Sequence, residues 1–238
     1  MIRARRIEKR YGTVQAVFPM DLDVHAGEVF GFLGLNGAGK TTTLRMLGGV
    51  LPPTGGEIWI NGLNLDTDPV EARRSMGFIP DRPYLYDKLT AREFLRFIGE
   101  VYGMDGRTLR ARVDHVLEYQ GLAEVGDQLV ESYSHGMKQR LTLAGALLHE
   151  PRLLIVDEPM VGLDPRGARQ IKETFRTIAG EGRTVFLSTH TLEVAAEVCD
   201  RIAIVHKGRI AVMGTHDDLV RADQTLEDVF LDLTGGAA

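Results

Sequence analysis

The sequence predicts an α/β fold in which a parallel sheet core carries an antiparallel β layer and an inserted helical lobe, and three observations predict it. After Pro151, the strand-like runs Leu153-Leu154-Ile155-Val156 and Thr184-Val185-Phe186-Leu187 alternate with helical stretches near 165–179 and 191–199, the β-α-β rhythm of a parallel sheet. Earlier, Asn61-Gly62 separates Gly56-Glu57-Ile58-Trp59-Ile60 from Leu63-Asn64-Leu65, and both turn positions tolerate the positive φ of a tight hairpin. From Pro83 to about Leu129 the apolar spacing becomes helical.

Each element has its own local signal. Residues 1 to about 33 read as short strands broken at Gly12 and Gly27, with Met20-Asp21-Leu22-Asp23-Val24 alternating as a half-exposed strand. The run Val29-Phe30-Gly31-Phe32-Leu33 reads as a buried strand that feeds a glycine-rich turn and a helix opening at Thr41-Thr42-Thr43-Leu44. Thr90-Ala91-Arg92-Glu93 is a capping box ahead of Phe94, Leu95, Phe97 and Ile98, and Val113, Val116 and Leu117 continue on a second helix that stops near Gly121. Asp164-Pro165 combines an N-cap with proline at the first helical position. One domain is expected over 1–238: a core from 1–82 and 135–216, a helical subdomain at 83–134, and a C-terminal helical tail at 217–238. Only Thr234-Gly235-Gly236-Ala237-Ala238 reads as loose.

Composition narrows the function. With 238 residues, 44% hydrophobic and 26% charged, the chain has enough apolar material for a sizeable core. A net charge of −5 argues against broad binding to a phosphate backbone, so nucleic acid is not an expected partner. The basic opening from Arg3 to Arg10 lacks the apolar stretch of a secretory signal, and no later segment approaches the ~18 apolar residues of a membrane span. Cys199 is the only cysteine and reads as a packing residue of a reducing compartment. A cytoplasmic protein is expected.

Gly34-Leu35-Asn36-Gly37-Ala38-Gly39-Lys40-Thr41 fits GxxxxGK followed by Ser or Thr, directly after a strand and opening a helix. Its glycines let successive N–H groups, among them those of Asn36, Gly37, Ala38 and Gly39, converge on a phosphate chain. Lys40 is expected to reach the terminal phosphates and the Thr41 hydroxyl to hold Mg2+, with the helix N-terminus adding its unpaired amides. Leu153-Leu154-Ile155-Val156-Asp157-Glu158 ends a buried strand on two carboxylates, and strand alternation aims them to opposite sides: Asp157 toward the metal, Glu158 toward an attacking water. His190 follows the next strand at the same sheet edge, placed to contact either the γ-phosphate or the water. Ser134 and the Gly136 amide open the helix containing Leu141-Thr142-Leu143-Ala144, a second anion site in a chain that already has one.

Together these motifs resemble the ATP-binding cassette (ABC) ATPases: GLNGAGKTT, YSHGMKQR, LLIVDEP, Gly162-Leu163-Asp164-Pro165 and the strand-end His190, in that order over nearly the whole chain. The resemblance implies a P-loop NTPase (RecA-like) core and ATP held between the phosphate loop of one cassette and the Ser134-Gly136 element of another. It implies that Tyr11 stacks on adenine, that Lys40, Thr41 and Thr42 hold phosphate and magnesium, and that Asp157 orients the metal. It further implies that Glu158 is the catalytic base, that Asp164 reaches across a dimer, and that His190 is the switch histidine. Two departures stand out. Asp81 replaces the usual glutamine after Gly77-Phe78-Ile79-Pro80 and can accept from metal-bound water but not donate. The signature LSGGQ becomes Tyr133-Ser134-His135-Gly136-Met137.

This variant signature, Pro80-Asp81-Arg82-Pro83-Tyr84-Leu85-Tyr86 and the ending Leu226-Glu227-Asp228-Val229-Phe230 look like the branch serving ABC-2-type permeases, mostly exporters. That implies an ATPase subunit, homodimeric or heterodimeric, peripheral to the inner face of the membrane through a separate permease. Two rival readings are a soluble non-transport ABC ATPase and a nucleotide-sensing scaffold that does not hydrolyse ATP. The lack of tandem cassettes or a long coiled-coil insertion speaks against the first, and intact Lys40, Asp157, Glu158 and His190 against the second.

Overall fold

A computed structural model describes residues 1–82, 84–220 and 224–235. Pro83, at the start of the expected helical subdomain, and residues 221–223 and 236–238 of the expected tail lie outside the described residues.

Two long antiparallel strands, β1 (Ile2–Tyr11) and β2 (Val14–Val24), join through a turn at Gly12, and β1 also pairs with β4 (Gly55–Ile60), which pairs with β5 (Leu63–Asn64). The order of this antiparallel sheet is β2-β1-β4-β5. The sequence suggests short pieces here because bulges interrupt the alternation: the β1–β2 register shifts three times, and Arg6 takes a φ of 49°. At the expected hairpin, Asn61 and Gly62 adopt φ of 53° and 83°, with Ile60 opposite Leu63.

The larger sheet contains β3 (Val29–Gly34), β6 (Met76–Ile79), β7 (Leu153–Asp157), β8 (Thr184–Thr189), β9 (Arg201–His206) and β10 (Arg209–Thr215), ordered β10-β9-β3-β8-β7-β6. All its pairings are parallel except β9–β10. The three strands β3, β7 and β8 are buried at every residue, as a sheet covered on both faces requires. Their carboxyl ends deliver the phosphate loop, Asp157-Glu158 and His190 to one edge.

Helices cover both faces: α1 (Lys40–Leu47), α2 (Pro69–Arg74), α5 (His135–Leu147), α6 (Pro165–Gly180) and α7 (Leu192–Val198). Two further helices, α3 (Ala91–Val101) and α4 (Gly106–Tyr119), close with α5 around a cluster of Phe94, Leu95, Val113, Leu117 and Leu141. The Thr90–Glu93 capping box is formed, and Asp164 caps α6 through the Gly167 N–H at 2.7 Å. The chain finishes with α8 (His216–Leu219) and α9 (Leu226–Gly235), whose Leu226 and Phe230 pack with Ala195 of α7 and Ile202 and Ile204 of β9. Thr234 and Gly235 are thus helical rather than loose, with the Thr234 hydroxyl donating to the Phe230 carbonyl at 2.6 Å. Cys199 packs against Gly31, and burial pushes its thiol up to about 12.

Candidate functional site

The phosphate loop owes its shape to close backbone approaches. A Cβ at Gly34 would lie 2.5 Å from the Val205 carbonyl oxygen, and one at Gly39 would lie 2.9 Å from that of Ala16. Gly37 and Gly39 take φ of 80° and 100°, conformations open to glycine at no steric cost. No side chain caps α1, so its first amides stay turned to the loop. Above the loop lies a cavity of about 690 Å³ lined by Asn36, Gly37, Gly39, Lys40, Thr41 and Thr42 together with Asp81, Glu158 and His190.

Lys40 is 6% exposed; its ammonium donates to the Gly34 carbonyl at 2.7 Å and sits 3.3 Å from Glu158 Oε1. His190 Nδ1 lies 2.9 Å from the other oxygen, Glu158 Oε2. One carboxylate therefore joins the lysine of the phosphate loop to the histidine at the end of β8. Its orientation does not come from strand alternation. Glu158 follows the last residue of β7 and takes a left-handed φ of 51°, its N–H donating to the Ser188 carbonyl and hydroxyl oxygens at 3.2 Å. Both carboxylates consequently line one narrow crevice with Asp81 and Gln139, and Glu158 also faces the main cavity. Of the two, only Glu158 lines the main cavity as well.

Asp157 is 3% exposed, and Ser188 donates to its Oδ1. Its second oxygen makes no hydrogen bond or ion pair among the described residues. Asp81 lines the main cavity with Thr41 and the crevice with Asp157, and all three offer hard oxygen donors. The described residues hold no cluster of three or more His, Cys, Asp and Glu suited to a metal. A Mg2+ held by one or two carboxylates, water and substrate phosphates needs no such cluster, so the donor set fits it.

Two expected nucleotide contacts are placed otherwise. Tyr11, 48% exposed, does not line the cavity; the Lys9 ammonium lies 5.5 Å from its ring centroid, while Val14, opposite it in the hairpin, and Phe18 do line it. Ala38 is buried, and its N–H donates to the Leu35 carbonyl inside the loop. The sequence reading did not single out Phe18, Lys207 or Gly208, which the β9–β10 turn and β2 bring to the cavity wall. Only the Lys207-Gly208 turn dipeptide gave any local sign of them.

Ser134, Gly136 and Asp164 gather elsewhere, in a concavity of about 1160 Å³ that they share with His135, Arg140 and Arg166. Ser134 caps α5, its hydroxyl accepting from the Met137 N–H at 3.3 Å. The loop after Glu158 runs between the two hollows: Val161 lines the first, and Gly162, Leu163 and Asp164 line the second. It is pinned at the Val161 carbonyl, which accepts from Gln139 Nε2 at 2.9 Å.

Comparison with known proteins places this geometry. The family profile described as ABC transporter matches residues 17–161. The linearmycin resistance ATP-binding protein LnrL of Bacillus subtilis (strain 168) is 39% identical over 219 residues, 92% of this chain and 70% of that protein. A solved ATP-binding subunit of an ABC transporter matches with a TM-score of 0.91 and 33% identity, covering 98% of this chain and 99% of that one. The ATP-binding cassette MJ0796, solved as a dimer in a post-hydrolysis state bound to ADP and Pi, matches with a TM-score of 0.82 and 27% identity over 90% of this chain and 98% of that one. This chain belongs to the ABC transporter family, as one of its ATP-binding and ATP-hydrolysing cassettes.

Proposed function

We propose that this chain drives export through a separate ABC-2-type permease by binding ATP between two cassettes and hydrolysing it there. One observation carries the reading: Lys40, Glu158 and His190 share one cavity, whereas Ser134, Gly136 and Asp164 open onto another. A single copy thus holds two unlike half-sites, and two copies facing each other would complete both. A homodimer is the simplest arrangement, and a heterodimer with a similar cassette satisfies the same geometry. The resistance function named for LnrL supports export.

Within the site, the loop amides and Lys40 bind the phosphates, and Thr42 lines their path. Binding phosphate draws Lys40 away from the Gly34 carbonyl and Glu158. Freed of that ion pair, Glu158 accepts the proton of the attacking water, and His190 holds the carboxylate in place through Nδ1. Thr41, Asp157 and Asp81 would hold Mg2+, which when bound neutralises charge on the phosphates. ATP contacts both cassettes only in the closed pair, so it favours closure, and hydrolysis removes that bias.

Among the described residues no helix is long and apolar enough to cross a membrane. Tyr84, 95% exposed, and Tyr86, edge-on to Phe97 at 5.7 Å, stand beside the loop that carries Asp81 and support this face as the permease contact. Purified Glu158→Gln incubated with ATP should run at twice the monomer mass by light scattering. A monomer at saturating ATP would reject the composite site.

A further inference from the structure

The nucleotide cavity has a wall that the motifs do not account for. Between β9 and β10, Lys207 and Gly208 form a two-residue turn with φ of 46° and 76°. The turn is bolted to the site on both sides: the Gly208 N–H donates to the Ala38 carbonyl at 3.0 Å, and the Gly208 carbonyl accepts from the Phe18 N–H at 2.9 Å. A Cβ at Gly208 would lie 2.6 Å from the Ala16 carbonyl oxygen, so the approach leaves no room for another residue type. On the β10 side, the Arg209 guanidinium stacks 3.7 Å from the Phe18 ring centroid and fixes a second residue of the cavity wall.

Lysine is an unusual occupant of the first position, where positive φ favours Asn, Asp or Gly. Its placement supplies a reason. Among the described residues, Lys40 and Lys207 are the two Lys or Arg side chains lining the cavity, against the carboxylates of Asp81 and Glu158. Lys40 is already engaged by two loop carbonyls and Glu158. Lys207 makes no hydrogen bond and no ion pair among the described residues. A polyanion entering this cavity would meet one committed cation and one uncommitted cation on different walls.

We propose that Lys207 is a second phosphate-binding cation of the nucleotide site, reaching the phosphate chain from the β9–β10 turn while Lys40 holds it from the phosphate loop. The assignment rests on the cavity being the ATP site. Because Lys207 is exposed, its interaction is that of charges in high dielectric: modest and screened by salt.

The test is titration of the purified chain with a fluorescent ATP analogue at about 50 mM and about 500 mM salt. Lys207→Ala should weaken binding about three- to tenfold at low salt, the deficit should shrink at high salt, and Lys207→Arg should restore wild-type affinity. Lys40→Ala serves as the control for the site itself. Unchanged affinity in Lys207→Ala, with binding lost in Lys40→Ala, would overturn the role of Lys207 and leave the ATP site standing. A Lys207→Arg variant as weak as Lys207→Ala would overturn it too, since charge would then not be the cause. Wild-type affinity in Lys40→Ala would overturn the site and the proposal together.

Discussion

Glu158 combines a functional side chain with a backbone conformation its residue type rarely adopts. A left-handed non-glycine residue costs of order 1–3 kcal/mol and persists only where its surroundings hold it. Here Ser188 does the holding: its carbonyl and hydroxyl oxygens accept from the Glu158 N–H, and its hydroxyl proton goes to Asp157. The adjacent carboxylates and the lysine of the phosphate loop were legible in the sequence because their chemistry is written in contiguous residues. The left-handed turn that aims Glu158 was not, since it depends on a strand 30 residues away in sequence. As the proposed base, Glu158 changed to Gln should lower ATP turnover by about 10²–10⁴ while nucleotide binding persists. Steady-state phosphate release close to wild type would remove it from that role.

Helices with strong local signals appeared where the sequence put them, notably α3 behind its capping box and α6 behind Asp164-Pro165. In sequence the β1–β2 hairpin looks like fragments, because its bulges break the period of two that marks a strand. Packing between elements was equally hidden. At Gly77 of β6 a Cβ would lie 2.6 Å from the Ala146 carbonyl oxygen of α5, the helix that Ser134 caps. Gly77→Ala must push that helix off the sheet, and the expected cost is about 1–3 kcal/mol in denaturant unfolding. An unchanged midpoint would show that α5 does not rely on this approach.

Across the whole molecule, the helical lobe meets the sheet through a half-buried histidine. The His149 ring stacks on Tyr102 at the end of α3 with centroids 3.7 Å apart, and its Nε2 lies 3.1 Å from the Met76 carbonyl at the start of β6. Its Nδ1 is buried without a partner. Burial holds the imidazole below its ordinary pKa, against the opposing hydrogen bond to Met76. The unfolded chain therefore takes up the proton first as pH falls. Stability from this group is present above pH about 6.5 and lost below it, with a slope of at most about 1.4 kcal/mol per pH unit. Glu93, Asp105, Asp218 and Asp228, held low chiefly by hydrogen bonds from Thr90, Thr108, Thr215 and Thr225, lose their contribution only as pH falls further, below about 4. Replacing His149 by Phe should flatten the decline between pH 7.5 and 5.5 in urea unfolding, and an identical decline in the variant would place its source elsewhere.

At this scale the central claim is that the Ser134 face of one copy completes the Lys40 cavity of another. Its most direct test mixes two inactive variants, Lys40→Ala and Ser134→Arg, with the permease present if the isolated chain is idle. In a mixed pair, one site keeps both the intact phosphate loop and the intact Ser134 element. Phosphate release should then exceed the sum of the two variants measured alone. Verified mixed pairs that stay at that sum would contradict a site shared between chains.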